Sequence, residues 1–220
     1  MLLSESAYLK RASCNTLLLI LRFSINNKVL QEALFRYADS LSSTADGPAS
    51  RSYPAIDAFL TRALPMLQNH EAGTALIPEE ATLPQIISAL ERLDQSYLFI
   101  QGPPGAGKTF TGARVILALL KAGKRVGVSS NSHKAIINLL QEVEKAAVAD
   151  NFELRGAKKS SKTDPSQQVK GRLIVDVWNN DALTGTDYQL IAGTAWVFAD
   201  EDLDQSLDYL FVDELSLIHI

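Results

Sequence analysis

The feature that most constrains the fold is a short apolar run that breaks into a glycine-rich loop. Residues 97–109 read Y-L-F-I-Q-G-P-P-G-A-G-K-T. The apolar part predicts a strand over residues 97–101, and the amphipathic stretch after Thr109 predicts a helix that ends before Gly123. A strand, a loop of the form G-x-x-x-x-G-K-[ST] and a helix, in this order, indicate a phosphate-binding loop. A strand–helix turn without a ligand is the alternative interpretation.

The residue types of this loop each have a physical reason. Glycine adopts backbone conformations that are closed to residues with a β-carbon, so several N–H groups can converge on one anion. The N-terminus of the next helix adds further donors. We expect Lys108 to contact the β- and γ-phosphates of ATP and the Thr109 hydroxyl to bind Mg²⁺. The predicted nucleotide-binding residues here are Gly102, Pro103, Pro104, Gly105, Ala106, Gly107, Lys108, Thr109 and Phe110.

Composition restricts the class of protein. A chain of 220 residues with 46% hydrophobic residues has room for one α/β domain and a smaller element. Its net charge of −4 does not exclude a nucleic-acid partner, because a local basic surface is sufficient. The single Cys14 cannot form an internal disulfide, which fits a reducing cytoplasm. The apolar run at residues 17–21 is too short to span a bilayer, so we expect a soluble, cytoplasmic protein.

Strand and helix patterns alternate after residue 80. Such alternation predicts a parallel sheet with helices on both faces, the P-loop NTPase class of α/β fold. Earlier in the chain, residues 1–42 and 55–67 have helical patterns, and residues 150–171 are polar and poorly patterned. We expect a helical segment over residues 1–80, compatible with the tail of an upstream domain, and a partial ATP-binding domain over residues 81–214. The strand candidates are residues 124–130, 172–177, 189–192 and 209–212.

An acidic pair completes the predicted nucleotide site. The stretch L-D-Y-L-F-V-D-E is an apolar strand that ends at Asp213 and Glu214. On the same sheet as the loop, Asp213 would hold Mg²⁺ through water, and Glu214 would deprotonate the attacking water. Lys108 and Glu214 are therefore the predicted catalytic residues. An acidic pair at an ordinary surface strand end is the alternative.

The order of several stretches resembles a known family. Gln85 precedes the loop, R-V-G-V-S-S-N-S-H-K-A-I-I-N-L-L follows the loop helix, and I-A-G-T-A-W-V-F-A-D comes before L-F-V-D-E. Over about residues 82–214 this resembles the first RecA-like domain of superfamily 1 helicases. The branch is that of the Upf-type helicases and of bacterial proteins that join a RecB-like nuclease to a helicase. The resemblance implies ATP hydrolysis coupled to movement on single-stranded DNA or RNA, a second RecA-like domain, and in some members a fused nuclease.

The resemblance also implies residue roles. Gln85 would read the adenine edge, because its amide both donates and accepts; a surface glutamine is the alternative. The motif after the second strand would grip the nucleic-acid backbone, with helix capping by Ser132 as the alternative. A later strand-end motif at Gly193 and Thr194 would face the strand unless it is a simple turn. The predicted nucleic-acid contacts are Ser130, Asn131, Ser132, His133 and Thr194.

Two further features have alternative interpretations. Trp196 and Phe198 could stack on bases, although packing in the core is the favoured interpretation. Residues 155–172 carry six basic side chains, which could form a flexible flap over a nucleic-acid path; a solvated surface loop is favoured.

The chain departs from the family pattern after Glu214. Residues 215–220, L-S-L-I-H-I, match an in-frame reading of a transposon end used to prepare sequencing libraries, so we expect a non-native tail. Without a second RecA-like domain, this fragment should bind ATP weakly and scarcely hydrolyse it. Two other classes stay open. One is a P-loop ATPase of the AAA remodelling type, and the other is a nucleotide-dependent binding module that does not hydrolyse.

Overall fold

The computed structural model describes residues 10–11, 17–18, 27–42, 52–70, 74–78, 80–103, 105–184 and 187–213. Pro104, Glu214 and the predicted non-native tail at residues 215–220 lie outside the described residues.

The N-terminal part contains two helices and one short strand pair. Strands β1 (Lys10–Arg11) and β2 (Leu17–Leu18) pair antiparallel, and helices α1 (Lys28–Ser42) and α2 (Pro54–Leu60) follow. The helix predicted over residues 1–42 is therefore confirmed from Lys28 onward and wrong at β1 and β2. The second helix is shorter than predicted, because Arg62 has a left-handed φ of 55° that a helix does not continue through.

Five parallel strands form the main sheet, and their order is β5-β4-β6-β3-β7. This all-parallel sheet confirms the predicted α/β class and is consistent with a RecA-like P-loop fold. Strand β3 lies near the middle and is buried on both faces, which explains its V-G-V-S-S run. The strands are β3 (Val126–Ser130), β4 (Gly156–Lys159), β5 (Ile174–Val177), β6 (Leu190–Gly193) and β7 (Tyr209–Asp213).

Helices cover both faces of this sheet. On one face, the main core joins residues of α4 and α5 with Val128 of β3. On the other face, a smaller core includes Leu183, Val197 and Leu203. No helix in the described ranges is both long enough and apolar enough to cross a membrane. The helices are α3 (Leu83–Glu91), α4 (Lys108–Lys121), α5 (His133–Ala149) and α6 (Ala195–Phe198).

The pairing of α4 with α5 fixes where the glycine-rich loop lies. At their C-terminal ends, Lys121 of α4 donates a hydrogen bond to Asp150, the residue after α5. Nearer their N-termini, Gly112 lies against Leu139. The two helices therefore run in the same direction. Because α5 begins where β3 ends, the N-terminus of α4 and the loop before it lie toward the carboxyl edge of the sheet.

The strand predicted immediately before the loop is wrong. Residues 97–101 have no strand assignment, and within them Phe99 is 63% exposed and Ile100 is 49% exposed. Only the neighbouring Leu98 packs against the main core. In the described structure the loop is thus held to the sheet through α4 rather than through a paired strand.

A second difference concerns the basic segment at residues 155–172. Both interpretations, a flexible flap and a solvated loop, are wrong for its first part. Residues 156–159 form β4, which lies between β5 and β6 and buries Lys158 completely. The pattern G-A-K-K hid this strand, because two adjacent lysines do not look like the interior of a sheet.

Candidate functional site

The glycine-rich loop, residues 102–107, curls tightly and leads into α4. Gly105 and Gly107 have φ angles of 82° and 76°, in the left-handed region that glycine adopts at little cost. Gly107 is the N-terminal cap of α4. A β-carbon on Gly102 would lie 3.4 Å from Cβ of Ala106, so the two ends of the loop approach each other. Two of the three glycines predicted for this loop, Gly105 and Gly107, therefore have the backbone conformation that favours glycine.

Lys108 crosses the mouth of this loop. Its Nζ donates to the carbonyl oxygens of Gly102 at 2.6 Å and Pro103 at 3.0 Å, and the side chain is exposed. Thr109 is exposed in the first turn of α4. A phosphate group that enters the loop could take the place of the two carbonyls as the partner of this ammonium. The predicted residues that lie together here are Gly102, Pro103, Gly105, Ala106, Gly107, Lys108 and Thr109.

Phe110 lies beside the loop in contact with an arginine. The guanidinium of Arg114 stacks over the Phe110 ring at 3.1 Å from its centroid, and it also donates to the Phe110 carbonyl. This exposed cation–π pair keeps a flat aromatic surface next to the start of α4. Arg114 covers one face of the ring, and Phe110 as a whole is 51% exposed.

Asp213 reaches the same edge of the sheet from another strand. It is the last residue of β7 and pairs in register with Ser130, the last residue of β3. Its side chain is half-buried. The hydroxyl of Thr109 and the carboxylate of Asp213 are oxygen donors of the kind that Mg²⁺ prefers, so these two residues fit that ion chemically. In the described part of the chain, no cluster of three His, Cys, Asp or Glu residues forms a metal site by itself.

Gln85 has a structural role in α3. Its Oε1 accepts hydrogen bonds from the backbone N–H and the hydroxyl of Thr82, each at 2.8 Å. These contacts form a capping box at the start of the helix. The adenine-reading role remains a prediction, and a nucleotide would have to compete with this cap for the oxygen.

The residues predicted to contact nucleic acid follow the ends of β3 and β6. Ser132 caps α5 by accepting from the Ala135 N–H, and Ser130 accepts from the Ser132 N–H. The capping interpretation of Ser132 is therefore correct, and a nucleic-acid role would be additional. Asn131 is exposed and His133 is half-buried. Thr194 follows β6 at the N-cap position of α6, but its side chain makes no capping hydrogen bond.

A buried lysine, which sequence reasoning missed, organises the edge near β4. Lys158 is 0% exposed. Its Nζ donates to the Gln167 carbonyl, to Ser160 Oγ at 3.0 Å and to the Lys159 carbonyl at 3.2 Å. Ser160 in turn donates to Asp176, which also accepts the N–H groups of residues 169 and 170. This network, the Lys158 network, fixes the loop over residues 160–170.

The same lysine lies beside His133 and contributes to the shift of its pKa. Lys158 Nζ lies 3.4 Å from His133 Nδ1. Burial, followed by the positive charge of Lys158, lowers the pKa of His133, while Asp164 acts in the opposite direction. Burial also lowers the pKa of Lys158 to about 8, against the favourable charge of Asp176. The direction of the hydrogen bond between Lys158 Nζ and His133 Nδ1 depends on which imidazole nitrogen carries the proton.

A second feature that sequence reasoning missed is Trp178. It directly follows β5, as Asp213 ends β7, and it is 40% exposed. A signal for it existed, since residues at the carboxyl ends of parallel strands gather at one edge. Trp196, at the start of α6, is 42% exposed, so its assignment to the core is wrong; Phe198 does pack against the smaller core, as favoured.

The fold and the residues at the carboxyl edge of the sheet together define a structural class. A parallel five-stranded α/β domain carries a curled glycine-rich loop at a helix N-terminus, with a carboxylate at the end of a strand on the same edge. No protein-family model matches the chain. Over 128 residues, 56% of its length, the chain is 28% identical to the DNA replication ATP-dependent helicase/nuclease DNA2 of Saccharomyces cerevisiae (strain ATCC 204508 / S288c). It spans 8% of that protein's length. This weak similarity suggests a helicase-related family.

Proposed function

We propose that this chain is the ATP-binding domain of an ATP-dependent nucleic-acid helicase. In this proposal ATP binds at residues 102–110, and hydrolysis in the full protein drives movement along single-stranded DNA or RNA. The observation that carries the proposal is the position of Lys108. From the N-terminus of α4, its side chain reaches back so that the ammonium donates to the carbonyls of Gly102 and Pro103 at the beginning of the curled glycine-rich loop. The similarity to a helicase/nuclease supports the choice among ATPases.

The proposed roles follow from chemistry. The Lys108 ammonium would exchange its two carbonyl partners for phosphate oxygens, which are stronger acceptors because they are charged. Thr109 and Asp213 would hold Mg²⁺, which would neutralise charge on the phosphates during transfer to water. Glu214, outside the described residues, would act as the base. Gln85 would contact adenine once its cap to Thr82 opens.

Nucleic acid would pass over the carboxyl edge beyond the nucleotide. The exposed Asn131, the N-terminus of α5 with His133, and the end of β6 at Thr194 lie along this edge. Helix N-termini and neutral polar groups are common partners of phosphate oxygens. The imidazole of His133, whose lowered pKa favours the neutral form, would be one such group.

ATP binding to this chain tests the proposal. A fluorescent ATP analogue should bind in the presence of MgCl₂, and Lys108→Ala should weaken binding at least tenfold, because it removes the charge at the loop mouth. Lys145→Ala is the matched control, an exposed lysine paired with Glu142 on α5. Equal binding by wild type and Lys108→Ala, or no binding by wild type, would contradict the proposal.

Two further measurements separate the alternative classes. Single-stranded DNA should bind this chain and its affinity should change with ATP, since two ligands of one domain are linked reciprocally. An AAA-type remodelling ATPase should show no such binding. Glu214→Gln should retain ATP affinity and lose any residual turnover. Unchanged turnover in that variant would argue against a hydrolytic role for Glu214.

A further inference from the structure

A cleft of about 810 Å³ lies at the carboxyl ends of β4, β5 and β6. These strands lie on one side of β3, whereas β7 with Asp213 lies on the other. Its lining includes Trp178, Trp196, Lys159 and Lys162. The motifs that carry the helicase resemblance give no role to Trp178, Lys159 or Lys162.

The aromatic content of the cleft is unusual for this chain. The sequence contains two tryptophans, and both line this one cleft with about two fifths of their surface exposed. They follow β5 and β6, strands that are separated by β4 and so lie roughly 10 Å apart. Two partly exposed indoles in one recess provide stacking surfaces for flat rings, and every nucleobase presents such a ring.

The charge of the cleft favours an anion. None of its thirteen described lining residues carries a carboxylate, although the whole chain has a net charge of −4. Asp164 and Asp200 lie beside the cleft, where they accept hydrogen bonds from the lining side chains of Gln167 and Asn180. Lys159 and Lys162 provide positive charge. The nearby Asp176 faces the Lys158 network, where it accepts three hydrogen bonds from residues 160, 169 and 170. Stacking surfaces and cations together match a nucleic-acid strand, which has bases on one side and phosphates on the other.

The walls of the cleft are held in place before any ligand arrives. Lys159 Nζ donates to the Trp178 carbonyl at 2.9 Å, which ties the end of β5 to the end of β4. Ser160 lines the cleft and belongs to the Lys158 network. A recess that is already ordered loses less conformational entropy when it binds.

We propose that this cleft binds bases of single-stranded nucleic acid, stacked on Trp178 and Trp196, with phosphates near Lys159 and Lys162. The inference rests on the proposed function, because it extends the strand path from His133 and Thr194 toward β5. The cleft would hold the strand away from the nucleotide loop and would contribute affinity without reading sequence.

Intrinsic fluorescence tests this inference directly, because both tryptophans line the cleft. A 15-residue oligothymidylate should quench the fluorescence of the full chain at low salt. Trp178→Ala should weaken binding about tenfold, and Trp178→Phe should stay within about twofold of wild type, because a phenyl ring still stacks. Phe35→Ala removes an exposed aromatic on α1, outside the cleft lining, and should leave affinity unchanged.

The lysines provide an independent readout. Each phosphate contact on a single strand contributes about 0.7 to the slope of log affinity against log salt concentration. Lys162→Ala, in an exposed loop position, should lower that slope by about this amount, whereas Lys145→Ala should not. Circular dichroism of each variant checks that the fold is retained. If Trp178→Ala does not fold, quenching of the full chain by oligothymidylate and the salt dependence of Lys162→Ala still decide the matter.

Three outcomes would overturn the inference. One is the absence of quenching by oligothymidylate, and another is equal affinity of Trp178→Ala and Phe35→Ala. The third is quenching of the Lys108→Ala variant by ATP or inorganic phosphate as strong as that by oligothymidylate, which would identify an anion site without strand recognition. The proposed function fails separately: ATP that does not bind, together with tryptophan-dependent oligothymidylate binding, would leave the cleft intact and remove the nucleotide site.

Discussion

Two lysines at the same edge of the sheet contact backbone carbonyls in opposite environments. Lys108 is exposed and donates to Gly102 and Pro103 within its own loop. Lys158 is completely buried and joins β4 to the loop over residues 160–170. The shape of the loop around Lys108 depends on the backbone conformation of its glycines. The loop over residues 160–170 depends instead on the hydrogen bonds of the Lys158 network.

The difference indicates a division of tasks along the edge. An exposed ammonium can exchange its hydrogen-bond partners at little cost, because water already solvates it. The glycine-rich loop with Lys108 therefore suits a ligand that binds and dissociates. A buried ammonium cannot leave its acceptors without a large desolvation penalty. The Lys158 network therefore suits a permanent structural support for the cleft beside it.

The largest expected effect is the difference in stability between Lys158→Ala and Lys108→Ala. Lys158→Ala should lower the free energy of unfolding by about 3 kcal/mol, because it leaves buried acceptors at Ser160 and Gln167 unpaired and opens a void. Lys108→Ala should change it by less than about 0.5 kcal/mol, because its side chain is exposed. Urea unfolding of both variants measures this contrast. Similar losses of stability in the two variants would contradict the distinction between an exchangeable Lys108 and a structural Lys158.

A smaller difference in stability is expected between substitutions of two glycines, one at the end of β6 and one in the glycine-rich loop. In Gly193→Ala, the new β-carbon would lie 2.5 Å from Cγ2 of Val197, so α6 must shift at a cost of about 2 kcal/mol. In Gly107→Ala, nothing lies within 4 Å of the new atom, and only the left-handed φ of 76° is strained, at about 1 kcal/mol. Thermal unfolding should rank Gly193→Ala below Gly107→Ala in stability. The reverse order would mean that packing at the end of β6 is looser than described.

The sequence predicted most of the sheet, because β3, β6 and β7 have apolar runs of strand length with clear boundaries. It also predicted α4 and α5, whose apolar residues recur at helical spacing. It did not predict β4, because two adjacent lysines do not look like the interior of a sheet. The acceptors of Lys158, at Lys159, Ser160 and Gln167, lie only one to nine residues further along the chain, but they surround its ammonium only in the folded loop over residues 160–170.

The error at residues 97–101 has a different origin. Five residues with three large apolar side chains favour a strand, but a strand needs a neighbour with free hydrogen-bonding groups. In the described structure these residues pair with none of the five strands. At the site, the loop geometry followed from its glycines, and the cap formed by Gln85 follows a local T-x-x-Q pattern that the sequence contains, whereas the exposure of Trp178 depends on tertiary structure.

The pH dependence of stability offers another test of the buried lysine. The folded pKa of Lys158, about 8, lies below its ordinary value of 10.5, so the unfolded chain binds more protons between these values. The cost of the buried charge is fully present below pH 8 and is relieved as pH rises. Relative to Lys158→Met, wild type should therefore gain stability from pH 8 to 10 with a slope of up to about 1.4 kcal/mol per pH unit.

That slope belongs to Lys158 only if its charged neighbours do not titrate in the same range. Hydrogen bonds from Ser166 and Gln167 lower the pKa of Asp164, and burial lowers the pKa of His133, so neither group titrates between pH 8 and 10. Lys159 and the tyrosines of raised pKa, Tyr53 and Tyr209, are common to both variants. Denaturant unfolding at several pH values measures the difference. Parallel curves for the two variants would mean that Lys158 keeps its proton up to the ordinary pKa of a lysine.

The smallest effect is expected at Gln85, where a structural and a ligand-binding role compete. Thr82→Ala and Gln85→Ala both break the capping box, so each should cost about 0.5–1 kcal/mol of stability. If Gln85 also reads adenine, then Gln85→Ala should weaken ATP binding about fivefold while Thr82→Ala should leave it unchanged or slightly stronger. Thr82→Ala removes the hydroxyl donor to the glutamine oxygen and keeps the backbone N–H donor. Titration of both variants with the fluorescent ATP analogue measures this. Equal affinities would assign Gln85 to the helix cap alone and leave adenine recognition to other residues beside the loop.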